Sequence, residues 1–147
     1  MPGGIRMVEI GGKPDVRRVA VAEGRIRLRE ETIRRLREGQ IEKGDVLTTA
    51  QIAGILAAKR TPSIIPLCHP IPITNVKIDF RIEGREVVVT AEVRSVGKTG
   101  VEMEALTAAS AALLTIWDMT KQYEKDESGQ YPETAIREIR VIRKVKG

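Results

Sequence analysis

The stretch KTGVEMEALTAASAALLTIWDMTK, residues 98–121, constrains the fold more than any other part of the chain. Residues 105–117 carry no charged side chain, although 31% of the chain is charged, and charges flank them on both sides. A helix without a polar face must be buried on every side. Charges at its ends are costly unless they are paired or used in chemistry. The sequence therefore predicts a long buried helix, over about residues 100–122, and directs the search for a functional site to its two ends.

Hydrophobic periodicity places the other elements of the chain. Residues 16–28 indicate an extended stretch or a hairpin broken at Gly24. The remaining predicted elements are helices over about 29–38 and 46–59, paired strands over 76–82 and 86–93, and a last strand over 135–145. This β-α-β-β-α-β order predicts a single α+β domain over residues 1–147. The expected fold is ferredoxin-like, with an antiparallel sheet and helices packed on one face.

Composition limits the classes of site that the chain can carry. Cys68 is the only cysteine and His69 the only histidine, so neither an internal disulfide nor a structural zinc site is expected. No apolar run is long enough to span a membrane, which predicts a cytoplasmic protein without a membrane partner. The net charge of +5 favours anionic partners such as phosphorylated metabolites or nucleic acid.

The start of the long helix carries a glycine-rich motif and two carboxylates. The VGKTG motif is not a nucleotide-binding P-loop, because that motif requires glycine where this chain has Glu92. Thr99 and Glu102 predict a capping box, and free amides at this helix start could also bind an anion. Glu102 and Glu104 suit the positive end of the helix dipole, which is a structural alternative to a role in binding.

The other end of the helix carries Asp118 and Lys121, whose spacing of three residues puts them on one face. They could form a solvated ion pair, or the carboxylate could tune the lysine for proton transfer. Glu104 and Asp118 lie roughly 21 Å apart along a helix, too far for one small substrate. Either the two ends serve different purposes, or a neighbouring subunit completes each site.

Two further segments hold candidate groups. Three prolines in IIPLCHPIPITN fix an extended backbone around His69, which suits binding or catalysis, although a lone histidine can equally be an ordinary one. Cys68 has no activating neighbour except that histidine, which disfavours a nucleophilic role. Lys43 precedes a glycine turn and, taken alone, is a solvated lysine.

The strings KGDV, AQIAGILAAKRTPSIIPLCHP and GKTGVEMEALTAASAALLTIWDMTK resemble the MoaC family, the cyclic pyranopterin monophosphate synthases of molybdenum cofactor biosynthesis, from Met7 through Lys121. The resemblance implies a ferredoxin-like fold and a hexamer, a trimer of dimers, with active sites between subunits. It implies a lyase that converts a cyclised dihydro-GTP triphosphate to cyclic pyranopterin monophosphate and releases diphosphate. No resident cofactor is implied, and whether magnesium accompanies the triphosphate is left open.

The resemblance also assigns roles to individual residues. Asp118, Lys121 and Lys43 would be catalytic, with Asp118 setting the protonation of Lys121. Arg18 would bind phosphate, although the adjacent Arg17 is hard to distinguish from it. The remaining implied substrate contacts are Leu67, Cys68, His69, Glu102, Met103 and Glu104.

Two alternatives belong to other functional classes. A basic four-stranded α+β domain can bind RNA, but such domains use aromatic stacking surfaces, and only 3% of this chain is aromatic. A non-catalytic nucleotide sensor would keep the pocket without turnover. The presence of Lys43, Asp118 and Lys121 argues against a sensor.

Overall fold

The computed structural model describes residues 3–147 and contains one four-stranded sheet and four helices. Within these residues, no helix is both long and apolar enough to cross a membrane. In chain order the elements are β1 (Val16–Arg27), α1 (Glu30–Glu38), α2 (Val46–Lys59), α3 (Thr61–Ile64), β2 (Ile73–Glu83), β3 (Glu86–Gly97), α4 (Glu102–Glu124) and β4 (Ala135–Lys146).

The strand order in the sheet is β2-β3-β1-β4, and every neighbouring pair is antiparallel. Two β-α-β units that interleave in this way, with the helices on one face, form the ferredoxin-like α+β fold that the element order predicts. Residues 16–27 form one continuous strand, so the hairpin alternative is wrong. The pairing register of β1 against β4 instead shifts twice, once between Val21 and Ala22 and once between Glu23 and Arg25.

The core lies between the sheet and α4. Alternate residues of β1, including Ala20, Ala22 and Ile26, are fully buried and face the fully buried Leu113 and Ile116 of α4 within one apolar cluster. Burying an isoleucine or leucine side chain contributes about 1.5–3 kcal/mol to stability. Helix α4 is therefore held rigidly against the sheet along its length, which fixes the positions of both its ends.

Helix α2 packs closely on α4 because of a glycine. A Cβ atom added at Gly54 would overlap Ile78 Cδ1 and lie 3.1 Å from the carbonyl oxygen of Ala108 in α4. Glycine therefore suits this close approach, since any larger residue would force Ile78 and the Ala108 backbone to shift. The segment between α1 and α2 is thereby brought beside the C-terminal part of α4.

Helix α4 is not buried on every side within one chain, which corrects the prediction of all-round burial. Its sheet-facing side is buried, but Met103 is 40% and Leu114 61% exposed on the opposite side. On α2, Ile52 is 54% and Leu56 41% exposed. The outer face of α4 thus exposes Met103 near its start and Leu114 in its uncharged part.

The predicted capping box at the start of α4 is also wrong. The N-cap residue is Val101, whose side chain cannot accept a hydrogen bond. Thr99 lies two residues before this position and therefore does not cap the helix. The Glu102 carboxylate instead lies 3.2 Å from Lys144 Nζ of β4. This ion pair joins the helix start to the edge strand of the sheet.

Candidate functional site

Lys43, Asp118 and Lys121 meet at the C-terminal part of α4, and we call them the lysine cluster. Lys43 Nζ lies 3.3 Å from Asp118 Oδ2 and 3.1 Å from the Asp118 carbonyl oxygen. Lys121 Nζ lies 3.0 Å from Asp118 Oδ1. One carboxylate therefore holds two ammonium groups, a site with net positive charge that suits phosphate.

The loop between α1 and α2 positions Lys43. Gly44 has φ +113°, a conformation that favours glycine, and Asp45 then caps α2 by accepting a hydrogen bond from Thr48 N at 3.0 Å. The same loop is tied to α4, because Glu42 N donates to Tyr123 Oη at 2.9 Å. These contacts hold the lysine over Asp118.

Electrostatics in the lysine cluster favour fully charged groups. Hydrogen bonds from Lys121 and Lys43 lower the pKa of Asp118 below its usual value. The hydrogen bond to Asp118 raises the pKa of Lys121. Lys121 therefore stays protonated and can stabilise negative charge, whereas proton transfer through it would need surroundings that lower its pKa. All three side chains are at least 43% exposed, so solvent screens the cluster in the isolated chain.

A cleft of about 550 Å³ opens at the other end of α4, and we call it the helix-start cleft. The prediction of an extended backbone is wrong for the first part of this segment, because Cys68 N donates to the Ile65 carbonyl oxygen at 3.1 Å and closes a turn. At the end of this turn, Leu67, Cys68 and His69 form one part of the lining. Another part comes from the residues at the start of α4. The predicted site residues that line the cleft are Leu67, Cys68, His69, Glu102 and Met103.

Glu104 lies beneath the cleft rather than in its lining. Its side chain is 1% exposed, its Oε2 lies 3.7 Å from Cys68 Sγ, and its Oε1 has no hydrogen-bond partner within residues 3–147. Burial raises the pKa of this carboxyl. Burial, together with the Glu104 charge, raises the pKa of the Cys68 thiol. Cys68 therefore favours the neutral thiol, which agrees with the interpretation that it is not a nucleophile.

Arg18 lies near the start of β1, opposite Ser95 of β3 in the sheet register. It is 5% exposed, and its Nε donates to the Gly97 carbonyl oxygen at 3.4 Å. Neither Arg18 Nη2 nor Ser95 Oγ finds a partner among the residues that the structure describes. A buried donor without an acceptor costs about 1–3 kcal/mol, so this guanidinium is prepared for an anion.

The predicted residues thus fall into separate groups within one chain. The structure brings Lys43 to Asp118 and Lys121, and it brings residues 67–69 to the start of α4. It does not bring these two groups together, because α4 runs unbroken as Glu102–Glu124 and keeps Glu104 and Asp118 roughly 21 Å apart.

Three basic residues near the site were missed by sequence reasoning. Lys144 pairs with Glu102, and Arg6 and Lys13 line the helix-start cleft. The basic residues interleaved in the last strand were the sequence signal that could have identified Lys144. Neither Arg6 nor Lys13 belongs to a motif with a recognisable spacing, and their placement depends on how residues 3–15 cross the folded chain.

The match to known proteins extends over nearly the whole chain. The family model described as the MoaC family matches residues 7–147. A relative from Pyrococcus abyssi, named a probable cyclic pyranopterin monophosphate synthase, is 63% identical over 97% of this chain and 90% of its own. One from Archaeoglobus fulgidus with the same name is 59% identical over 99% of this chain and 93% of its own. A third, from Methanothermobacter thermautotrophicus, is named a probable cyclic pyranopterin monophosphate synthase accessory protein and is 62% identical over 97% of this chain and 90% of its own. This chain belongs to the MoaC family.

Proposed function

We propose that the chain is a cyclic pyranopterin monophosphate synthase, a lyase of molybdenum cofactor biosynthesis. It converts a cyclised dihydro-GTP triphosphate to cyclic pyranopterin monophosphate and releases diphosphate. The observation that carries this proposal is the lysine cluster, in which Lys43 reaches Asp118 across 75 residues of sequence. The cluster occurs in a chain that the family model matches over residues 7–147.

The reaction requires proton transfers during ring opening and reclosure, followed by formation of the cyclic phosphate. In that last step a sugar hydroxyl oxygen forms a bond to the innermost phosphorus. The hydroxyl proton passes to a base, the bond to the diphosphate oxygen breaks, and diphosphate leaves. Positive charge beside the phosphates stabilises the transition state.

The lysine cluster supplies acid–base and electrostatic groups for these steps. Because its pKa is raised, Lys121 stays protonated and places a positive charge on the leaving diphosphate, and a part in proton transfer requires that the assembled site lower this pKa. Asp118 remains ionised and orients both ammonium groups, with Lys43 on its other oxygen. The proposal includes no resident cofactor, and any magnesium ion would arrive with the triphosphate.

The helix-start cleft would bind the base-derived ring. Glu104 and His69 would read its hydrogen-bonding groups, with Leu67 and Met103 packing on its faces. We assign the phosphate contact to Arg18 rather than Arg17. The unpartnered Nη2 of the buried Arg18 supports this choice, since Arg17 is exposed.

Assembly into a homo-oligomer would bring the two groups of residues together. The family resemblance implies a hexamer, a trimer of dimers, and two observations support an assembly with sites between subunits. The lysine cluster and the helix-start cleft are too far apart to share one substrate in a single chain. The exposed Leu114, Ile52 and Leu56 also provide apolar surface that a second copy could bury.

Two substitutions test the catalytic assignment. Asp118→Asn removes the charge that orients the lysines, and Lys121→Ala removes the ammonium group itself. Each is expected to lower kcat by about 10²–10⁴-fold in an assay of pterin product and diphosphate. Circular dichroism and gel filtration of each variant are the controls for folding and assembly. Near-normal turnover by a correctly assembled variant would contradict the assignment.

A further inference from the structure

Part of the lining of the helix-start cleft comes from the N-terminal segment, residues 3–15, which we call the strap. Arg6, Val8, Ile10 and Lys13 of the strap line the cleft together with residues 65–69 and 99–103. The strap has no regular secondary structure, and Ile5 is 84% and Val8 72% exposed. The cleft is therefore completed by an extended segment lying over folded elements.

One side chain ties the strap to the rest of the fold. Lys98 Nζ, just before α4, donates to the Lys13 carbonyl oxygen at 2.9 Å and lies 3.9 Å from Asp15 Oδ1. Within residues 3–147, the other hydrogen bonds of the strap are internal, such as Lys13 N to the Ile10 carbonyl oxygen at 3.0 Å. The strap is thus anchored at its C-terminal end, while its N-terminal half is held only by packing.

The strap also supplies the permanent positive charge of the cleft. Arg6 and Lys13 are the only arginine and lysine in the lining, and within the described residues neither is within 4.0 Å of a carboxylate oxygen. The one carboxylate of the lining, Glu102, is already paired with Lys144. Two free cations on a loosely held segment can move to meet an anionic group at low cost, whereas cations fixed in ion pairs must first give up their partners.

We infer that Arg6 and Lys13 determine specificity for the triphosphate, because the strap closes over the cleft and places both cations on the phosphate chain. This inference rests on the proposed function and adds residues to that same site. Arginine can bind two phosphate oxygens in one plane, and lysine adds a mobile point charge. A ligand with one phosphate offers fewer charges to the strap, so the strap discriminates by the number of phosphates.

The test measures binding of GTP and GMP, which share a base and a sugar and differ in phosphate number, by isothermal titration calorimetry. The double variant Arg6→Ala/Lys13→Ala is expected to bind GTP about 10- to 100-fold more weakly and GMP within threefold of the unsubstituted chain. The charge-conserving variant Arg6→Lys/Lys13→Arg should keep most of the discrimination. The matched control, Arg34→Ala/Lys77→Ala, removes the same two residue types from exposed positions and should leave both affinities unchanged.

Two binding results would overturn the inference. One is equal weakening of GTP and GMP in the double variant, which would show a structural role for the strap. The other is an unsubstituted chain that does not discriminate between the two nucleotides.

Kinetics separate this inference from the proposed function. If the unsubstituted chain converts the cyclised triphosphate but the double variant keeps its KM, only the role of the strap is wrong. If the unsubstituted chain forms no product, the proposed function is wrong. The expected result is a KM raised about 10- to 100-fold with kcat changed less than threefold.

Discussion

At the scale of single residues, Glu104 shows how a binding group can oppose stability. Its side chain is 1% exposed, and its Oε1 lacks a partner within residues 3–147. A carboxylate in such a place is costly unless a ligand donates a hydrogen bond to it. A group kept buried and incompletely satisfied is consistent with a site arranged for a substrate.

The buried Glu104 predicts a specific dependence of stability on pH. Burial raises its pKa above the usual 4.5, so the folded state retains this proton to higher pH than the unfolded state does. The contribution of Glu104 to stability is therefore fully present below the usual pKa and is lost as the pH rises through the raised value. Glu104→Gln should remove this loss. The difference in Tm, variant minus unsubstituted chain, should become more positive by about 2–4 °C between about pH 4 and pH 7.

The exposed Glu31 provides the control for this measurement, because Glu31→Gln also removes one carboxylate, but from the surface of α1. Its Tm difference should stay nearly flat over the same pH range. A flat profile for Glu104→Gln as well would show that the burial of Glu104 does not affect its titration.

At the scale of elements, a buried carboxylate joins the end of α4 to the start of α1. Glu124 is 1% exposed and accepts hydrogen bonds from Arg29 N at 3.0 Å, from Thr134 Oγ1 at 2.6 Å and from Thr32 Oγ1. The N-cap residue of α1, Arg29, makes no side-chain cap of its own. A residue 95 positions away therefore caps this helix.

Loss of this cap should be costly. Glu124→Gln places an amide N–H₂ group against donors and removes a charge-assisted interaction, so the free energy of unfolding should fall by about 2–4 kcal/mol. Urea unfolding at fixed protein concentration measures the change. Glu127→Gln, three residues further on and exposed, is the matched control. A loss below about 0.5 kcal/mol for Glu124→Gln would mean that water or rearrangement replaces the cap.

The elements also show what the sequence could and could not predict. The helix over residues 46–59 was predicted with its observed bounds, because its periodicity and the following Thr-Pro pair are local signals. The capping box failed because Thr99 fits a local motif, whereas the helix begins only at Glu102 after the chain has left β3. The cap from Glu124 has no local signal. Contacts between distant parts of the chain decide such features.

The candidate site also combines features that local sequence patterns predict with features that depend on contacts between distant parts of the chain. The spacing of Asp118 and Lys121 predicted their pairing, and the structure shows that ion pair at 3.0 Å. No local sequence pattern marks Lys43 as a site residue, and only the family resemblance assigns it to the site. In the structure, the fold brings Lys43 to Asp118. Arg6 and Lys13 could not be found from the sequence, because the path of the strap depends on the surface beneath it.

At the scale of the whole molecule, the length of α4 determines how far apart the two groups of candidate residues lie. The helix holds the lysine cluster and the helix-start cleft roughly 21 Å apart, and its rigid packing on the sheet prevents them from approaching. Under the proposed function, we propose that a complete site combines the lysine cluster of one subunit with the helix-start cleft of another.

Complementation between inactive variants tests this claim most directly. Lys121→Ala disables the lysine cluster, and His69→Ala disables the helix-start cleft. After subunit exchange between the two variants, random mixing should restore about a quarter of wild-type activity, from sites that combine two intact halves. A mixture of Lys43→Ala and Lys121→Ala should restore none, because both residues belong to the cluster of one subunit. Absence of recovery in the first mixture, with confirmed exchange, or equal recovery in both mixtures would contradict the shared site.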